Sequence, residues 1–159
     1  MTRTLLDRPT VIDGGLGSRL EALGHDLSGR LWSARMLRDD PDAVEAVHRD
    51  YFAAGAEVAI TGSYQVSFEG LAAAGIDRSE GVELLTRSVA LAASARDALR
   101  PDGLVAASVG PYGAARADGS EYRGDYDLDR DGLRRWHEPR LSVLLEASPD
   151  LLAIETIPS

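Results

Sequence analysis

Four short apolar runs, each closing on a polar residue, give the chain its rhythm: Thr10–Asp13, Glu57–Thr61, Leu104–Ser108 and Leu151–Glu155. Their starts fall 47 residues apart each time. Between them, apolar positions recur at helical spacing. Short buried strands alternating with helices predict βα units and a parallel sheet. Such sheets bind ligands at the carboxyl ends of their strands. Asp13, Thr61, Ser108 and Glu155, one at each such end, are therefore the first candidates for chemistry.

The intervening segments read as follows. Asp40 caps a helix opened by Pro41, with Val44, Val47 and Tyr51 on one face and Gly55 as its stop. A second helix is predicted from Ser79 to Leu99, burying Val82, Leu85, Val89, Ala92 and Ala93. A third spans Asp129 to Ala147, with Leu133, Trp136, Leu141, Leu144 and Leu145 inward. Pro139 predicts a kink or a split in it. Residues 14–40 and 109–128 are too long for plain βα loops, and such loops are commonly functional. Four units fit either half of a (β/α)8 barrel or a complete small open sheet. Period alone leaves both open.

Composition narrows the classes. At 159 residues the chain is long enough for one domain with a real core. Its net charge of −9, with no cluster of Lys and Arg, argues against nucleic acid as a partner. No apolar run approaches the roughly 20 residues of a membrane span. Met1–Asp7 lacks the apolar core of a signal peptide, so a cytoplasmic location is expected. The chain contains no cysteine, which removes disulfides, thiolate nucleophiles and cysteine-bound metals from it.

At the first strand end, Asp13-Gly14-Gly15 combines a carboxylate with a backbone that a ligand can approach closely. This suits the ammonium and carboxylate of an amino acid. It also suits a tight turn capped by an aspartate. At the fourth end, Glu155 follows a wholly apolar run, where a charge is costly to bury unpaired. Two carboxylates facing one cation, or a glycosidase pair, would both use Asp13 and Glu155. Thr61 to Gln65 and Ser108 to Gly113 add hydroxyls, an amide and aromatic rings to the same rim. The polar loop Ala117–Tyr126 reads equally as a lid or a solvated loop, and Trp32 as a stacking platform or a loop anchor. His25, His48 and His137 share no metal-ligand spacing and sit at no strand end.

Six stretches together resemble the homocysteine S-methyltransferase family, in its branch using S-methylmethionine or S-adenosylmethionine. They are Val11–Gly15, Leu31–Ala34, Ala59–Gln65, Ser108–Gly113, Ala117–Tyr126 and Asp150–Thr156. The resemblance implies a (β/α)8 barrel of which residues 1–159 supply the N-terminal half of the homocysteine-binding domain. It implies methyl transfer from a sulfonium donor to homocysteine, giving methionine. Carried over residue by residue, it assigns Asp13 and Glu155 to the homocysteine amine and the Gly14 and Gly15 backbone to its carboxylate. Trp32, Thr61, Tyr64 and Gln65 would lie near the donor. The family binds zinc through three cysteines on later strands, and those ligands are absent from this chain. The expectation is therefore a chain that lacks the metal half of the site. It would need a complementing C-terminal half or would self-associate. The alternative is a non-catalytic half-barrel that binds an amino acid or a complementing protein chain.

Overall fold

Three parallel strands, β1 (Val58–Ile60), β2 (Leu104–Val109) and β3 (Leu151–Ile154), form one sheet in that order. Val58 lies opposite Leu104, and Ala106 faces both Ile60 and Leu151. This is a computed structural model, and it describes residues 8–29, 31–116 and 118–158. The Met1–Asp7 segment and Ala117, the first residue of the expected lid loop, lie outside the described residues.

The first expected strand, Thr10–Asp13, is reduced to a single parallel bridge between Ile12 and Val58. The reason lies in two side chains. Glu57 N–H donates to the Val11 carbonyl at 2.7 Å and Asp13 N–H to Val58 at 2.9 Å. Beyond these, carboxylates take the N–H groups: Glu57 receives Val11 N–H at 3.2 Å and Asp13 receives Ile60 N–H at 2.8 Å. Pairing therefore stops at both ends of the segment, and among the described residues the repeat gives three strands and a bridge.

The helices are α1 (Leu16–Ala22), α2 (Trp32–Asp39), α3 (Pro41–Ala53), α4 (Phe68–Ala73), α5 (Arg78–Leu99), α6 (Tyr112–Arg116) and α7 (Arg130–Glu146). The two long loops thus hold α1 and α2, and α6 with a 3-10 turn at Ser120–Tyr122. Caps set the long helices. Asp40 accepts Ala43 N–H, Asp77 accepts Glu80 N–H and Asp129 accepts Gly132 N–H.

Helix α5 lies over β1 and β2 and packs against α3 and α7. Leu84, Leu85, Val89 and Ala92 meet Val44, Val47, Phe52, Val105 and Ala107 in one core. The expected α5 stripe was displaced at one end, since Leu84 is buried and Val82 is exposed. On α7, Leu144 is buried but Leu145, one position round the helix, is exposed. Pro139 does not split α7. The helix continues to Glu146 and buries Arg140 and Leu144 just beyond the proline. One missing N–H bond is the smaller effect there.

The outer flanks of the sheet remain apolar and open. Leu152 and Ile154 share one face of β3 and are exposed, as are Val11 and Ile12 at the other flank.

Candidate functional site

A cavity of about 390 Å³ opens at the carboxyl ends of the strands. Asp13, Gly14 and Gly15 enter its wall from the segment before α1. Thr61 and Tyr64 enter from the loop after β1, Ser108 from β2 and Glu155 from just after β3. Trp32, at the start of α2, closes one side. Parallel strands that end at one rim bring together residues more than a hundred positions apart in sequence.

Asp13 is the chemically unusual member. Its Oδ2 accepts the Ile60 N–H at 2.8 Å, while Oδ1 is buried with no hydrogen-bond partner among the described residues. Burial pushes its carboxyl up to about 6, the Ile60 bond opposes this, and the charge of Glu155 adds to the rise. A buried acceptor without a donor is costly, and a cationic ligand would relieve it. Glu155 accepts the hydroxyl of Ser108, and its own N–H donates to the Val109 carbonyl at 3.2 Å.

The glycine pair is fixed by Tyr51 of α3. The Tyr51 hydroxyl donates to the Gly15 carbonyl at 3.1 Å. A Cβ on Gly14 would stand 2.8 Å from that hydroxyl, so the turn passes close to Tyr51 only as glycine. Thr61 lines the cavity, but its hydroxyl is committed to Ser63 and Ser108. Tyr64 packs its ring on Gly110, where a Cβ would come within 2.7 Å of it. Burial pushes the Tyr64 phenol up, and a hydrogen bond with Thr156 opposes this. Gln65 is absent from the cavity wall, and its side-chain carbonyl is buried without a donor among the described residues.

No described residue of the 118–126 loop lines the cavity either. Tyr126 stacks edge-on with Tyr112 at 5.4 Å, and Arg116 pairs with Asp127 at 2.6 Å, tying the loop to α6. The three histidines also lie elsewhere. His25 faces Asp40 at 3.5 Å, His48 sits in the core, and His137 stacks on Trp136.

One supporting residue escaped the sequence. Arg140 of α7 is buried and reaches under the rim, where it donates to the carbonyls of Gly110, Ser63 and Tyr64. Burial brings its guanidinium down to about 10, so it stays charged at neutral pH. Its only sequence signal is its place in the stripe Trp136, Arg140, Leu144, four residues apart each time. Ser63, fully buried, donates to the Ser108 carbonyl at 2.8 Å.

The fold is a parallel α/β sheet that carries two carboxylates and a glycine turn at its carboxyl rim. The chain belongs to the homocysteine S-methyltransferase family, whose model, described as Homocysteine S-methyltransferase, matches residues 10–159. It is 49% identical over 157 residues to Homocysteine S-methyltransferase YbgG of Bacillus subtilis (strain 168), covering 93% of this chain and 50% of that protein. It is 46% identical over 165 residues to Homocysteine S-methyltransferase of Escherichia coli (strain K12), covering 99% and 53%. Its structure is similar to the metallated form of the homocysteine methyltransferase MmuM from Escherichia coli. The TM-score is 0.92 at 47% identity, over 99% of this chain and 57% of that one. The chain spans about half the length of the curated relatives it matches.

Proposed function

We propose that this chain supplies the homocysteine-binding part of a homocysteine S-methyltransferase, and that its sheet belongs to a (β/α)8 barrel. The observation that carries the reading is the partnerless Asp13 oxygen in the same cavity wall as Glu155, Gly14 and Gly15. An α-ammonium group seated between the two acids gives Asp13 the donor it lacks. The Gly14-Gly15 backbone, held by Tyr51, receives the α-carboxylate. The homocysteine thiol then points away from the acids, toward a sulfonium donor held near Trp32 and Tyr64. In the transfer, the thiol releases its proton to solvent, its sulfur forms a bond to the methyl carbon, and the donor's sulfur–carbon bond breaks, leaving the donor as a neutral thioether.

Zinc would lower the pKa of that thiol. The residues of this chain do not fit zinc. There is no cysteine, and among the described residues no three His, Asp or Glu side chains converge. Asp13 and Glu155 are two hard oxygen donors, one already bound to a backbone N–H and the other to a hydroxyl. The role of this chain is therefore to bind and orient, and thiol activation falls to groups it does not contribute. The exposed apolar flanks at Ile12 and Ile154 support further βα units beside the sheet, from a complementing half or a second copy.

Calorimetry with homocysteine tests the reading. Binding by the unaltered chain that is lost in Asp13→Asn and Glu155→Gln supports it. Binding indifferent to both substitutions overturns it.

A further inference from the structure

Three buried hydroxyls sit between the ends of β1 and β2, and the direction of every proton among them follows from the geometry. Ser63 Oγ donates to the Ser108 carbonyl at 2.8 Å, which uses its single proton. The 2.8 Å contact between Ser63 and Thr61 is therefore donated by Thr61. Thr61 Oγ1 in turn accepts the Ser108 N–H at 3.0 Å, where the next rung of the ladder would fall. Both backbone groups of Ser108 are thus held by hydroxyls from the β1 side. Its own hydroxyl is left free of the sheet and donates to Glu155 Oε1.

Nothing in the sheet requires that last bond. Alanine at 108 would leave the ladder and the Thr61–Ser63 contacts intact. Buried hydroxyls are costly unless bonded, and this one spends its proton on a carboxylate in the cavity wall.

We propose that Ser108 is a positioning residue: with its backbone held by Thr61 and Ser63, its hydroxyl fixes Glu155 opposite Asp13 and so shapes one seat for an ammonium ion. The inference rests on the ammonium grip argued above and adds what sets it. A fixed carboxylate loses little freedom when the ligand arrives, so the hydroxyl acts on affinity through pre-organisation. The amine is the only part of the ligand it affects.

The test compares L-homocysteine with 4-sulfanylbutanoate, the same thiol acid without its amine, by calorimetry on the full chain. Ser108→Ala is expected to weaken homocysteine binding about tenfold, the scale of one charged hydrogen bond, and to leave the amine-free thiol unchanged. Ser108→Thr, which keeps the hydroxyl, is expected to restore the ratio. A purely structural serine would lower both affinities together when removed, and that result overturns the inference. Unaltered homocysteine binding by Asp13→Asn and Glu155→Gln, or none by the unaltered chain, overturns the grip itself, a different failure from the first.

Discussion

The carboxylate of Asp13 takes the N–H of Ile60 at 2.8 Å, where a backbone carbonyl would continue the ladder. One side chain thus ends a strand and anchors a site. Because one oxygen is spent on the backbone, the other is fixed in direction, and in this cavity-lining residue it is buried without a partner among the described residues.

Asp13 should therefore weaken the fold at neutral pH. Its folded pKa of about 6 lies above the unfolded value of about 3.9. The folded state holds the proton more tightly, so this group makes stability fall as pH rises from about 4 to about 6. Asp13→Asn keeps an acceptor for Ile60 and removes the charge. Its thermal midpoint should exceed that of the unaltered chain above pH 6 and match it near pH 4. Homocysteine affinity in the unaltered chain should drop about tenfold per pH unit below about 6, since an ammonium ligand needs the ionised acid. A flat binding profile from pH 5 to 7 contradicts this.

His48 acts with the opposite sign. It is fully buried on α3, neither ring nitrogen has a partner among the described residues, and burial lowers it to about 4. The unfolded histidine takes up its proton near 6.5. Its contribution to stability is complete above that value and is lost as pH falls toward 4. His137, lowered to about 4 by burial, loses stability over the same range. His48→Leu should remove the His48 part and leave that of His137. It should also gain about 1 kcal/mol at pH 7 by deleting two unsatisfied polar atoms. Urea titrations at pH 5 and 7 check both, and a variant less stable than the parent at pH 5 refutes the assignment.

Much of this was legible in the sequence, and the exceptions share a cause. The strands at 58, 104 and 151, the Asp40 cap and the span of α5 follow from local period and capping chemistry. So does the meeting of Asp13 with Glu155, because parallel strands of equal spacing end at one rim. What failed depended on side chains replacing backbone partners. Thr10–Asp13 reads as a strand, but two carboxylates cap it after one bridge. Thr61 reads as a free hydroxyl at a strand end, but it completes the ladder to Ser108. Gln65 follows Tyr64 in sequence but is not among the residues that line the cavity. Arg140 went unread, because no local pattern announces three carbonyls converging from two distant loops.

Arg140 should prove more important than any surface ion pair. Its guanidinium donates to three buried or half-buried carbonyls and stacks 5.3 Å from the Trp136 ring centroid. Arg140→Met removes this donor from all three carbonyls, of which Ser63 keeps only the Val66 N–H, and should cost about 3 kcal/mol. Arg140→Lys should recover only part, because an ammonium lacks the planar fork. Urea denaturation measures both. Arg135→Met on the exposed side of α7 is the control and should stay within about 0.5 kcal/mol of the parent. Equal effects at 135 and 140 would show that the buried fork contributes nothing.

The apolar flanks predict how this chain behaves in solution. Ile154 is 67% exposed on the outer face of β3, and Ile12 is 55% exposed at the opposite flank. Each lies beside a backbone edge with no further strand among the described residues. Apolar side chains beside an open edge favour pairing with another strand. Burying one isoleucine contributes about 2 kcal/mol, so a contact using both flanks gains that at each end. The chain should therefore self-associate as concentration rises, as seen by sedimentation velocity. Ile154→Lys should shift the distribution to monomer, because it places a charge in the contact. Val82→Lys, on the exposed side of α5 away from both edges, should leave it unchanged. A parent chain that sediments as a monomer at every concentration, or two lysine variants that behave alike, would remove the flanks as an interface.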